Sequence, residues 1–204
     1  MIPFKNVLKT LVLTLFRLHY GILFSFLLNK YYLRGLRIKD LQALLPEFYE
    51  SHLLPSISTE MLSEIEDLCR NNYSIYFISG TLDFIVDYII CKLKAAGGAG
   101  SRIEVKNGMI TGKLLGTYPI HRGKIIRLNR LLKGQQINWE KSIAYGDSFF
   151  DIPLFNLFGN AVAVHPDFVL RKEAVRRGWR IVDRKVKLDN FLNRIWIEKF
   201  FRKV

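Results

Sequence analysis

The 204 residues carry 31 Lys and Arg against 18 Asp and Glu, a formal charge of +13 at pH 7, and half of them are hydrophobic. That balance excludes a disordered tail, and the lack of repeats or low-complexity tracts excludes a repeat array or a collagenous fibre. The two cysteines, Cys69 and Cys91, sit inside apolar helical patterns and supply neither a disulfide scaffold nor a cysteine zinc site, which points to a reducing, cytoplasmic compartment.

The first 39 residues contain Lys5, Lys9, Arg17, Lys30, Arg34, Arg37 and Lys39 and no acid before Asp40. From Phe4 to about Leu33 the pattern is a long, mostly apolar helix with a break at Gly21. Arg17 and His19 interrupt it, leaving no run of the roughly 18 apolar residues that a spanning helix requires. A buried or interfacial helix follows, with a peripheral membrane contact through residues 4–33. Leu11–Phe16 is followed by Arg17 and bulky neighbours instead of the small residues of a signal-peptide cleavage site. No stripe of Lys and Arg interleaved with aromatics stands out, so a nucleic-acid partner is not expected. A second helix is predicted over Ile38–Glu50, and residues 1–55 together read as a helical lobe.

After Pro55 the pattern changes. Ser58 or Thr59 caps a helix to about Asn71, an apolar strand runs Ile75–Ile78, Ser79-Gly80-Thr81 turns, and a helix continues to about Leu93. Ala95–Gly100 reads as a loose glycine-rich turn. Arg102–Lys106 and Met109–Leu114 flank Asn107-Gly108 as a tight hairpin. A helix is predicted from Lys124 to about Leu132. The strands Ile143–Tyr145, Ala161–Val164 and Arg180–Val182 then alternate with helices near Phe149–Leu157 and Phe168–Arg177. This alternation predicts an α/β fold over residues 56–204, a Rossmann-like parallel sheet covered on both faces, ending in a basic C-terminal helix. Ligands on such sheets bind at the carboxyl ends of strands.

Three turns there can carry chemistry. In Tyr145-Gly146-Asp147-Ser148-Phe149-Phe150-Asp151-Ile152-Pro153 a buried strand ends in a glycine turn, and two carboxylates lie four residues apart as a helix begins. Paired acids so placed suit Mg²⁺, which takes carboxylate oxygens and keeps waters that a phosphate can replace. The same residues also fit a helix cap, with Ser148 as N-cap and Asp151 in the capping-box position. Ser79-Gly80-Thr81 offers a hydroxyl and successive backbone N–H groups to an anion, or Ser79 or Thr81 as an N-cap. Lys124 opens a helix, where a cation opposes the positive N-terminus unless an anion is bound, although a lone lysine is most often simply solvated.

Taken together and in this order, the motifs resemble the haloacid dehalogenase superfamily, in particular its phosphoserine-phosphatase-like branch. The stretches that carry the resemblance begin at Tyr76 (Tyr-Phe-Ile-Ser-Gly-Thr-Leu-Asp), Gly108 (Gly-Met-Ile-Thr-Gly-Lys), His121 (His-Arg-Gly-Lys), Ala144 (Ala-Tyr-Gly-Asp-Ser-Phe-Phe-Asp) and Ala161 (Ala-Val-Ala-Val-His-Pro-Asp). The resemblance covers about Ile57 to Asp183, and the arm is similar in character to that branch's cap. It implies a phosphomonoesterase that uses Mg²⁺ and an aspartyl-phosphate on a small or amphiphilic phosphate monoester. It also implies that Ser79 and the Gly80 amide hold phosphoryl oxygens, that Lys124 neutralises their charge, and that Asp147 ligates the metal with Asp151 supporting it.

The family's first motif, Asp-x-Asp-x-Thr at the end of a central strand, has no counterpart in the sequence, and the acids upstream of Ser79 fall on helical or loop patterns. The nucleophile that this motif supplies is therefore missing from the chain, which predicts a truncated or inactive phosphatase with unpaired strand edges where the central strand would lie. The alternative is a non-catalytic phosphate-binding or membrane-associated relative.

Overall fold

The computed structural model describes residues 30–183. The helix expected from Phe4 lies outside them except at its end, where Tyr31–Leu33 forms one 3-10 turn, and the basic C-terminal helix lies outside them altogether. No helix among the described residues is long and apolar enough to cross a membrane. The chain divides into two compact units, Met1–Ile137 and Asn138–Val204.

In the first unit the helix expected over Ile38–Glu50 is split into α1 (Ile38–Ala43) and α2 (Leu45–Phe48), followed by a π turn at Tyr49–Leu53 and a 3-10 turn at Leu54–Ser56. Pro46 is the physical cause: it has no N–H to give to the preceding turn, and it is tolerated only in the first turn of the new helix. The segment before α1 is tied to a hairpin. Gly35 N–H donates to Ile110 O (2.8 Å), Ile110 N–H to Leu36 O (2.9 Å) and Ile38 N–H to Gly108 O (3.0 Å). Leu33, Leu36, Ile38 and Leu41 bury against Leu82, Ile103, Ile110 and Leu114.

The helix α3 (Thr59–Arg70) starts as predicted, with Ser58 Oγ accepting from Met61 N–H at 3.2 Å. Next come β1 (Tyr76–Leu82), α4 (Asp83–Leu93), β2 (Gly97–Lys106), β3 (Met109–Leu115) and α5 (Arg122–Leu131). The sheet order is β1-β2-β3, with β1 and β2 parallel and β3 antiparallel to β2 through the Asn107-Gly108 turn, where φ is 50° and 76°. The loose turn expected at Ala95–Gly100 is instead mostly strand. Its glycines are packing devices: a Cβ at Gly100 would lie 2.5 Å from Asp83 Cα, so only glycine lets β2 run this close to the start of α4.

The second unit follows the predicted alternation closely. It contains β4 (Ile143–Gly146), a 3-10 turn at Phe149–Asp151, α6 (Ile152–Phe155), β5 (Asn160–Val164), α7 (Phe168–Arg177) and β6 (Arg180–Val182). The three strands are parallel and adjacent in chain order. Ala144, Ala161, Ala163 and Ala174 keep the sheet–helix gap narrow, and Leu170 and Phe155 fill it. Phe155, only 1% exposed, meets Trp179 edge to face at 5.1 Å. Among the described residues β1 and β4 each stand at one end of a three-strand order.

Candidate functional site

In the first unit the register of β1 on β2 jumps from Ile78↔Ala99 to Leu82↔Ser101, so Ser79, Gly80 and Thr81 together oppose the single residue Gly100. The turn expected at Ser79-Gly80-Thr81 is thus a bulge within the strand, which lifts these residues out of the ladder. Two contacts fix it. Ser79 Oγ accepts from Thr81 N–H at 3.2 Å, and the buried Ser101 Oγ donates to Gly80 O at 2.8 Å. A hydroxyl has one proton and two acceptor sites, so a Ser79 Oγ that accepts from Thr81 still has its proton to donate. Capping of α4 by Ser79 or Thr81 is not observed: the N-cap is Leu82, without a side-chain bond.

Ile120 packs over this bulge, since a Cβ added at Gly80 would lie 3.3 Å from its Cγ1. His121 follows as the N-cap of α5, at φ 52° and ψ −125° and with no side-chain cap bond. Lys124 lies in the first turn of α5, which has no acid and also carries Arg122. Lys124 is half-buried and is not without a partner. Helix α5 packs along β1 and β2, so the lysine's helix and the serine's bulge share one part of the unit. A helix N-terminus with cations in place of acids repels positive charge and favours an anion.

In the second unit Asp147 and Asp151 occupy opposite surroundings. Asp151 is 1% exposed, and its Oδ2 accepts from both Asp147 N–H and Ser148 N–H at 3.3 Å. Ser148 Oγ accepts in turn from Phe150 N–H at 3.5 Å, which completes the capping box that the sequence had offered as one alternative. Gly146 makes the arrangement possible, because a Cβ there would lie 2.6 Å from the Asp151 carboxylate. Asp147 is exposed at the carboxyl end of β4, and its carboxylate has no hydrogen bond or ion pair among the described residues.

A third acid, Asp167, has no part in the sequence-based site but touches this loop. Its N–H donates to Asp147 O at 2.8 Å, its Oδ2 accepts from Phe149 N–H at 2.8 Å, and its Oδ1 caps α7 at Leu170 N–H, also at 2.8 Å. Burial pushes the Asp167 carboxyl up, and the N–H groups of Leu170 and Phe149, the Ser148 hydroxyl and the Val169 N–H together bring it below the usual carboxylate range. His165-Pro166-Asp167 signals the cap of α7 in the sequence, whereas no local pattern signals a bond reaching back 18 residues. Ser101, the clamp on the Gly80 carbonyl, was equally silent.

The five residues singled out in the sequence therefore fall into two groups, Ser79 and Gly80 with Lys124 in the first unit and Asp147 with Asp151 in the second. No three His, Cys, Asp or Glu side chains gather as a metal cluster among the described residues. Mg²⁺ needs only one or two carboxylates and fills its other positions with water and phosphate oxygens. The exposed, unpartnered Asp147 carboxylate fits such an ion. Asp151, whose Oδ2 already accepts two N–H bonds, fits the role of anchor for the Asp147 loop better than that of direct ligand.

The family model for haloacid dehalogenase-like hydrolases matches residues 7–156. A phosphoserine phosphatase of Mycobacterium tuberculosis is 29% identical over 157 residues, 76% of this chain and 50% of that protein. A histidinol-phosphatase of Neisseria meningitidis is 32% identical over 143 residues, 68% of this chain and 64% of that one. The chain thus spans half the length of the first and under two thirds of the second. Among solved structures, a protein of unknown function from Bordetella pertussis Tohama I has a TM-score of 0.70 at 23% identity, over 83% of this chain and 79% of that one. A substrate-bound phosphoserine phosphatase complex has a TM-score of 0.59 at 23% identity, over 79% of this chain and 71% of that one, and shares the fold.

Proposed function

Because the chain belongs to the haloacid dehalogenase-like hydrolases, we propose that it carries the phosphate- and metal-binding parts of a Mg²⁺-dependent phosphomonoesterase acting on a small or amphiphilic phosphate monoester. The observation that carries this reading is the Asp147 carboxylate at the end of β4, without a partner among the described residues and on a loop held by Asp151 and Asp167. Relatives named as phosphoserine and histidinol phosphatases support a monoester substrate.

In this reading the Ser79 hydroxyl and the Gly80 N–H donate to phosphoryl oxygens, and Lys124 neutralises the negative charge that builds up on them. Asp147 would hold Mg²⁺, an ion that supplies charge neutralisation to phosphate oxygens when bound. Asp151 keeps the Asp147 loop in shape. Positioning and charge neutralisation supply most of the rate in phosphoryl transfer, but an attacking group is still needed. The 204 residues contain no Asp-x-Asp pair, so the chain by itself binds a phosphate monoester without hydrolysing it.

The same absence favours a second reading, a phosphate-binding relative that has no catalytic role. Release of phosphate from an aryl phosphate with Mg²⁺ separates the two. The unextended chain is expected to stay at background, and a version extended by an apolar strand ending in Asp-x-Asp-x-Thr is expected to turn over. An extended version that binds phosphate and stays inert would leave the non-catalytic reading standing. Metal-dependent turnover by the unextended chain, abolished in Asp147→Asn, would show that another residue attacks. The proposed cytoplasmic location and membrane contact through residues 4–33 rest on sequence alone, and co-flotation of the full chain with anionic vesicles tests the contact.

A further inference from the structure

We infer that Asp167 is a positioning residue that holds the Asp147 carboxylate in the geometry its ligand requires. The inference rests on the reading of Asp147 as the Mg²⁺ ligand and adds to it a residue on a different element, 20 positions along the chain.

A helix cap needs one acceptor, and Asp167 supplies it through Oδ1, which accepts from Leu170 N–H three residues on. Its second oxygen is committed elsewhere: Oδ2 accepts from Phe149 N–H at 2.8 Å, two residues beyond Asp147. The Asp167 N–H donates to Asp147 O at 2.8 Å, while the Asp147 N–H faces Asp151 Oδ2 at 3.3 Å. The peptide groups on both sides of Asp147 are thereby pinned, one by the acid that ends the loop and one by the acid that opens α7. Only the side-chain torsions of Asp147 remain to be set when a ligand binds.

The backbone bond from Asp167 to Asp147 survives any substitution of the Asp167 side chain. What the side chain adds is the tie to Phe149 N–H, beside the Ser148 hydroxyl, which stops the Ser148–Phe149 peptide from turning and taking Asp147 with it. Partners that orient a metal ligand without touching the metal typically account for 10- to 100-fold in affinity. A residue that served only to cap α7 would leave metal affinity unchanged as long as a cap remained.

Asp167→Ser separates the two roles, because a serine hydroxyl still caps α7 at Leu170 but has one acceptor group on a shorter side chain and cannot also hold Phe149 N–H. Mg²⁺ affinity by calorimetry and thermal unfolding would be measured on the full chain and on its Asp167→Ser, Asp167→Ala and Asp147→Asn variants. The inference predicts that Asp167→Ser melts close to the parent yet binds Mg²⁺ at least about tenfold more weakly. Asp167→Ala is expected to lose affinity to the same extent and to melt lower as well, having lost the cap. An Asp167→Ser variant that binds Mg²⁺ as the parent does would overturn the inference while leaving Asp147 as the ligand. Failure of the parent to bind Mg²⁺, or equal binding by Asp147→Asn, would remove the reading of Asp147 and this inference with it.

Discussion

Asp147 and Asp151 lie four residues apart on one loop, and replacing each by alanine is expected to have opposite consequences. Asp151 is 1% exposed and accepts from two backbone N–H groups. Removing its carboxylate leaves both donors without a partner inside the fold, at about 1 kcal/mol each for bonds this long, and opens a small void worth roughly another 1 kcal/mol. Asp151→Ala should therefore lose about 2–4 kcal/mol. Asp147 is exposed with an unpartnered carboxylate, so Asp147→Ala should stay within about 0.5 kcal/mol of the parent. Equilibrium urea unfolding followed by circular dichroism reads both. At a slope of roughly 2 kcal/mol per molar urea, the Asp151→Ala midpoint should fall by about 1–2 M while that of Asp147→Ala barely moves. Equal midpoints for the two variants would refute the assignment of Asp151 as the anchor and Asp147 as the free ligand.

Phe155→Ala empties the centre of the second unit's core and should cost about 3–5 kcal/mol in the same urea assay, with Mg²⁺ binding lost only as the unit unfolds. Glu173 is held at about 2 by the hydrogen bond from Arg176, reinforced by Arg177, below its ordinary 4.5. Its folded value is the lower one, so the contribution is complete above about pH 4.5 and is lost as the pH falls toward 2. Glu173→Gln should flatten that part of the stability profile and leave neutral-pH stability little changed, because the ion pairs are exposed.

Much of the second unit was legible because its signals are local. Each of β4, β5 and β6 is a short apolar run bounded by turn residues, and Asp167 and Gly178 mark the two ends of α7. The capping box at Ser148 and Asp151 was readable from spacing alone, but whether Asp151 also faces a ligand depends on burial, which spacing does not encode. In the first unit Gly97, Gly98 and Gly100 read as turn punctuation, whereas the close approach of Gly100 to Asp83 shows that strand packing selects glycine there. The bulge at Ser79-Gly80-Thr81 has the local pattern of a turn for a related reason: a register jump is set by the partner strand, and Ser101, which clamps it, lies 21 residues away from Gly80. The tie from Asp167 to Phe149 belongs to the same class, a contact between elements that no local pattern announces.

The most direct test of the account is an amide-resolved NMR titration of the full chain with inorganic phosphate, first without and then with Mg²⁺. The account predicts that phosphate shifts the amides of Ser79, Gly80 and Lys124 and that Mg²⁺ shifts those of Asp147 and Ser148. Phosphate that leaves the Ser79–Gly80 bulge unshifted, or Mg²⁺ that leaves the Asp147 loop unshifted, would contradict it.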